Sequence, residues 1–345
     1  MALFSRRGLA GALLVFLFLA SGAAARPFTD ASGRTVELPE RITRVLAAGP
    51  PAAVLLYSLA PDLLAGWVSA PAPAALPYLE ARTRTLPAFG RLTGRGGTAN
   101  VEAVLAAKPD LIVDSGSLGP IYASLADRVQ AQTGIPYILL DGAFSKMPET
   151  YRQLGAALGR QADADALAAY AQELTGAVAK AVGPLPEAQR PRVYYARGPR
   201  GLETGFAGSI NTELLEEAGA RNVAQGGDGR LGTVSPEQVL AWNPEVMVTL
   251  DPTFAATART APIWKDVKAV QTGRIYLAPL QPFPWFDAPP GINRLIGLRW
   301  LAGLLHPDLF PEPIADVVRA FYRRFYHVEL DAAQAEAILS PGSAR

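Results

Sequence analysis

Cysteine is absent from all 345 residues, and histidine occurs only at His306 and His327. The first absence excludes disulfides, thiolate metal sites and the lipidated cysteine that tethers an exported protein to a membrane. The scarcity of histidine disfavours direct coordination of a bare transition metal, whose usual soft and borderline ligands are thiolate and imidazole. His306, just before Pro307, reads as a C-terminal helix cap, and His327 as a surface residue near the end of the last helix. An excess of one charge is also lacking: 32 Lys and Arg face 31 Asp and Glu, so bulk charge selects no polyanionic partner and no nucleic acid. Past the N-terminus no apolar run is long enough to cross a bilayer.

The one long apolar run opens the chain. Met1 to Ala25 has a basic start at Arg6-Arg7, an apolar stretch from Leu9 to Ala20 and a small-residue end, Ala23-Ala24-Ala25, which is the layout of a secretory signal peptide. Ser5-Arg6-Arg7 is only the first part of a twin-arginine pattern, so ordinary Sec export is expected. Cleavage would leave roughly 320 residues free in a periplasm, enough for two domains of ordinary length. It would also take the formal charge from +1 to about −1.

What the sequence does contain is a pattern written twice. Glu102-Ala-Val-Leu-Ala-Ala-Lys-Pro109-Asp-Leu-Ile-Val113 returns 135 residues later as Glu237-Gln-Val-Leu-Ala-Trp-Asn-Pro244-Glu-Val-Met-Val248. A capping residue, Asn100 or Ser235, precedes each glutamate by two places, and Pro236 takes the favoured first helical position. Each copy therefore predicts a short helix stopped by proline, then a strand whose continuous apolar run suits burial on both faces. Two similar α/β lobes follow, each presenting a glutamate in the first turn of an equivalent helix.

Around the repeats the chain alternates. A hairpin is expected over Phe28 to Leu38, turning at Asp30-Ala-Ser-Gly33. Strands are expected at Arg44 to Ala48, Leu64 to Val68, Tyr137 to Leu140, Arg192 to Ala196 and Arg274 to Leu277, with helices at Ile121 to Thr133 and Ser209 to Gly219. Strand and helix in alternation make the sheets mostly parallel. The alanine-rich stretch Asp163 to Val182 is the longest strong helix former and reads as the connector between lobes. The boundaries are therefore 1–25 for the signal peptide, 26–146 for the first lobe, 147–183 for the connector, 184–305 for the second lobe and 306–345 for a helical tail. The fold class is α/β, two Rossmann-like lobes bridged by one long helix with a ligand cleft between them. One bridging helix also predicts a modest hinge rather than wide closure.

With signal peptide, repeats and single connecting helix together, nearly the whole mature chain resembles periplasmic binding proteins for iron complexes, haem and cobalamin. The segments Gly201-Leu-Glu-Thr-Gly205 and Trp285 to Pro290 look like those of a subgroup of metal-complex receptors. The resemblance implies that Glu102 and Glu237 dock on arginines of a dimeric ABC permease in the inner membrane. It also implies a receptor for a ferric siderophore, haem or cobalamin-like chelate; no cofactor is expected, and a monomer is the default expectation. An acid in the first turn also offsets the helix dipole, which is the ordinary role for either glutamate taken singly. A molybdate or tungstate receptor is the alternative, expected if arginines and loop amides converge on a small cavity; a wide aromatic cleft would instead suit a chelate.

In open α/β sheets ligands bind beyond the carboxyl ends of the strands. The residues this selects are Trp67, Arg91, Arg95 and Ser117 from the first lobe and Tyr195, Arg197, Arg200, Phe254 and Trp285 from the second. The arginines suit bidentate bonds to carboxylate, catecholate or oxyanion groups, or serve as solvated loop charge. The aromatics suit stacking on a flat ligand, or packing beside prolines. Tyr194 or Tyr195 could also complete a hard ferric centre, though packing is the simpler role. An enzyme on the same two-lobed plan finds no G-x-S-x-G elbow, P-loop or His-Glu-x-x-His motif. Gly94-Arg-Gly96-Gly97 lacks the dinucleotide spacing, and Phe206 to Asn211 is a phosphate cradle only loosely.

Overall fold

The computed structural model describes residues 25–94 and 100–340. The signal-peptide reading of residues 1–25 and the candidate Arg95 thus lie outside the described residues, apart from Ala25, which begins the first strand. β1 (Ala25–Thr29) and β2 (Thr35–Pro39) form the antiparallel hairpin. The first lobe continues with β3 (Val45–Ala47), α1 (Pro50–Leu59), α2 (Val101–Ala107), β4 (Leu111–Gly116), α3 (Pro120–Thr133) and β5 (Tyr137–Asp141). Its sheet is parallel, in the order β3-β4-β5. The expected strand at Leu64 to Val68 is reduced to single bridges, Val45 with Leu64 and Trp67 with Ala88, because proline-rich 3-10 turns follow instead of a pairing partner.

The segment 147–183 is helical, and its second helix takes in the stretch Asp163 to Val182 expected to bridge the lobes. α4 (Met147–Leu158) ends at Gly159 in the left-handed region, and α5 (Gln161–Val182) then runs 22 residues. The second lobe contains β6 (Arg192–Ala196), β7 (Glu203–Gly205), α6 (Glu213–Glu217), β8 (Arg221–Asn222), β9 (Leu231–Thr233), α7 (Pro236–Trp242), β10 (Val246–Thr249), α8 (Pro252–Thr257), α9 (Lys268–Gln271) and β11 (Ile275–Leu277). Its main sheet, β11-β10-β6-β8, is parallel throughout, and β7 pairs antiparallel with β9. The helix expected from Ser209 to Gly219 keeps only its last turn and a half, since Ser209, Asn211 and Thr212 are drawn into side-chain bonds of the preceding loop. The chain closes with α10 (Arg294–Leu305), α11 (Ile314–Phe321) and α12 (Ala332–Leu339).

The repeats fold alike. Asn100 accepts the Ala103 amide and Ser235 the Gln238 amide, so each helix begins at a side-chain cap. Each ends at a residue forced to positive φ, Lys108 at 45° and Asn243 at 44°, directly before the proline. The strand after it, β4 or β10, is buried on both faces as its apolar run requires.

Alternate residues of the strands feed different cores. Val45, Leu111, Val113, Ile138 and Leu140 join Val193, Tyr195, Val246 and Val248 in one cluster, which α4, α5 and α10 complete between the sheets. Ile112, Tyr137 and Leu139 face the opposite side of the first sheet, and Tyr194, Met247 and Ile275 that of the second. The tail also crosses back to the first lobe: the Tyr57 hydroxyl on α1 donates to the Tyr326 carbonyl at 2.5 Å. Trp67, Tyr57, Phe283 and Tyr326 pack there with ring centroids 5.4 to 6.2 Å apart. The lobes are thus joined by a common apolar core as well as by α5.

Candidate functional site

Parallel strands place their carboxyl ends, and the loops that leave them, along one edge of each sheet. In the first lobe these are the end of β4 with the loop after it, Ser115 to Ser117, and the loop after β5, Gly142 to Phe144. The two lie against each other: the Gly142 amide donates to the Gly116 carbonyl at 2.9 Å, and a Cβ on Gly142 would stand 2.5 Å from the Gly116 Cα. Asp114 braces the β4 end from below, accepting from the Thr93 hydroxyl at 3.0 Å, the Tyr137 hydroxyl at 3.1 Å and the Ser115 amide at 2.9 Å. Burial pushes its carboxyl above the ordinary 3.8 despite these donors.

A cavity of about 20 Å³ lies over this edge, walled by Pro51 and Leu55 of α1, Ser115, Gly142, Thr150 and Arg294 among others. Ser115 contributes a hydroxyl that bonds to no described residue, whereas Thr150 donates its own to backbone carbonyls. Arg294 is 1% exposed, and its charge reaches both lobes. It donates to the Gly142 carbonyl of the first lobe at 3.0 Å, and to the Ile210 carbonyl and Glu213 carboxylate of the second at 2.8 Å each. Glu213 in turn accepts the Phe144 amide at 3.2 Å, which closes the loop back to the first lobe. Burial pulls the guanidinium downward in pKa and Glu213 opposes that, so the pair remains ionic.

A second buried ion pair stands at the end of β6. Arg197 binds Asp287, which is fully buried and also accepts from the Tyr195 hydroxyl at 3.1 Å and the Asn211 amide at 2.7 Å. This network ties the Pro279 to Pro290 loop to the second sheet. Among the described residues no three His, Cys, Asp or Glu side chains are grouped to hold a metal ion.

The residues selected from sequence divide sharply. Trp67 is buried with its indole donating to the Thr83 carbonyl at 2.7 Å, Phe254 packs on Trp264, and Trp285 donates to the Tyr322 hydroxyl at 3.2 Å. Tyr195 is fully buried against Phe286. All four are buried, so none offers an open ring face: Thr83, Trp264 and Tyr322 lie against the first three and Phe286 against Tyr195. Tyr194 likewise spends its hydroxyl on the Gly201 carbonyl, and Arg197 spends its charge on Asp287. Ser117 and Arg200 are exposed at the rim, and Arg91 is half-buried in the loop before α2. His306 caps α10 and meets the Gly219 carbonyl at 3.2 Å. His327 is exposed, with Nε2 3.1 Å from the Ser58 carbonyl.

Arg294 and Glu213 were not reached by sequence reasoning. The available signal was Arg294 in the run Ile292 to Leu305, which is apolar apart from Asn293, Arg294 and Arg299, since a charge on such a helix must be paired when buried.

Glu102 and Glu237 are both exposed in the first turns of α2 and α7. The backbone amide of Glu237 and the Ser235 hydroxyl hold its carboxyl below the ordinary glutamate range.

The sequence profile of the family described as periplasmic binding protein matches residues 82–282, more than half of the chain. An ABC transporter solute binding protein from Sulfurospirillum deleyianum superposes at a TM-score of 0.83 with 33% identity, over 91% of this chain and 99% of that one. The molybdate-binding protein MolA of Haemophilus influenzae is 30% identical over 152 residues, so this match spans 43% of the present chain and 42% of MolA. The structure of MolA bound to molybdate superposes at a TM-score of 0.74 with 22% identity, over 89% of this chain and 99% of that one, a likeness of fold. On the profile match and on the full-length Sulfurospirillum relative, this chain belongs to the periplasmic binding protein family, alongside ABC transporter solute-binding proteins.

Proposed function

We propose that the protein is the exported receptor of an ABC importer, that it carries a small oxyanion of the molybdate and tungstate class, and that Glu102 and Glu237 present it to a permease dimer. The observation that carries the ligand class is Arg294, which ties the two lobes across the cleft. A chelate of several hundred daltons would need the lobes to part and that buried pair to break. A tetrahedral oxyanion needs only a small widening of a cavity that already has room for about one water. Ser115 offers it a hydroxyl that bonds to no described residue, and Arg294 a positive wall. The retreat of Trp67, Phe254 and Trp285 into the core removes the aromatic wall that haem or cobalamin would use. The partial match to MolA, a molybdate-binding protein by name, supports the same reading.

Delivery rather than catalysis is supported by the family and by relatives that are solute-binding proteins of transporters. The test is calorimetric titration of the purified protein with molybdate, tungstate, haemin and a ferric hydroxamate. Binding of the oxyanions alone is the expected result. Binding of haemin or the hydroxamate alone would overturn the oxyanion assignment and restore a chelate receptor. Native mass spectrometry with elemental analysis of protein taken from its own periplasm gives an independent answer, molybdenum or tungsten against iron or cobalt.

A further inference from the structure

Among the described residues five large apolar side chains stand exposed: Leu105, Ile121, Leu240, Ile263 and Leu309. Two of them occupy the same position of the repeat. Leu105 lies three residues after Glu102 on α2 and is 49% exposed; Leu240 lies three residues after Glu237 on α7 and is 42% exposed. The next residue, Ala106 or Ala241, is an exposed alanine in both copies. Residues three apart on a helix are neighbours on its surface, so each glutamate has a bare leucine beside it. Val104 and Val239, between them, are buried in the outer cores of their lobes, and packing alone explains why that position repeats. Packing does not explain a leucine left in water twice at one spacing from an acid. That recurrence points outside the chain.

We propose that Glu102 with Leu105, and Glu237 with Leu240, are two equivalent docking patches, and that each leucine enters an apolar hollow of the permease beside the basic group that receives the glutamate. The inference rests on the permease as partner. Two like patches on one chain match an occupant that offers the same chemistry twice, as a dimer of like subunits does. The parts are complementary: an exposed carboxylate steers over a distance but is screened by salt, while apolar burial acts only at contact and is insensitive to salt. Burying the remaining half of one leucine corresponds to about a tenfold gain in affinity.

The test is the concentration of mature protein that half-maximally stimulates ATP hydrolysis by the cognate permease–ATPase complex in liposomes, at low and high salt. Leu105→Ser and Leu240→Ser should each raise it about tenfold and the double variant about a hundredfold, with the oxyanion titration unchanged and the thermal midpoint lower by only a few degrees for the half of each side chain already covered. The loss should persist at high salt, whereas that of Glu102→Lys with Glu237→Lys should shrink as salt screens the wild type too. If the double leucine variant stimulates like wild type while the lysine variant fails, the leucine inference is overturned and the permease reading stands. If neither variant changes stimulation, both are overturned. A wild-type dimer by light scattering that the leucine variant dissolves would assign the patches to self-association and overturn the inference as well.

Discussion

Replacing Arg294 by methionine tests whether the lobes are held together by a buried charge. The side chain is 1% exposed and donates to Gly291, Ile210 and Gly142 carbonyls and to Glu213. Methionine matches much of its apolar stem but leaves those carbonyls without a donor and Glu213 without its cation. Breaking a buried pair from one side costs about 3 to 5 kcal/mol. Glu213 retains 32% side-chain exposure, so water replaces part of what it loses, and the lower end, about 3 kcal/mol, applies. At roughly 2 to 4 °C per kcal/mol for a chain of this class, the midpoint of thermal unfolding should fall by about 6 to 12 °C. The pairing also predicts a shape change, because the lost bonds are those that cross the cleft. Small-angle scattering should give a larger radius of gyration for Arg294→Met than for wild type. Adding Glu213→Gln should recover part of the stability, since removing both charges abolishes the uncompensated carboxylate. A midpoint within about 2 °C of wild type together with an unchanged radius of gyration would refute the tie and, with it, the argument for a small ligand.

Gly142→Ala places a Cβ 2.5 Å from the Gly116 Cα and must push the two cleft loops apart, so it should cost about 1 to 3 kcal/mol in urea unfolding and weaken oxyanion binding by calorimetry. Burial holds the His306 imidazole below the ordinary 6.5. Its unfolded form takes the proton first, so the stability it contributes is present above pH 6.5 and lost as pH falls through the lower native value; His306→Gln should flatten the urea midpoint over that window. Asp114 acts oppositely, its raised native pKa giving stability that declines as pH rises from 3.8 through the native value, a decline that Asp114→Asn should remove. Ser235→Ala removes one of the two donors that hold down the Glu237 carboxyl, so an NMR titration should show its pKa move back up, while a change downward would contradict the capping geometry.

The repeats were legible because their signals are local. Asn100 and Ser235, the glutamates, the left-handed residues Lys108 and Asn243 and the prolines behind them all act within about three helical turns, so short-range sterics and capping decide the structure. The apolar runs of β4, β6 and β10 likewise announced strands covered on both faces, and hence two parallel sheets with helices around them. The strand at Leu64 to Val68 had the same composition but found no neighbour beyond single bridges, because pairing depends on another segment arriving at the right register.

Which side chains face the cleft was beyond sequence. A β-strand tells which residues alternate, and a loop tells which end of the sheet it leaves, but neither tells what will later cover them. Trp285 is sealed by Tyr322, 37 residues further on, and Tyr57 by a segment 269 residues away. Arg294 meets Glu213 and Gly142 across 81 and 152 residues, contacts that exist only once both lobes and α10 are in place. Local chemistry determined the lobes and the two outward glutamates. Only the assembled tertiary structure buried the aromatics and drew one arginine across the gap between the lobes, because those contacts join segments far apart in the chain.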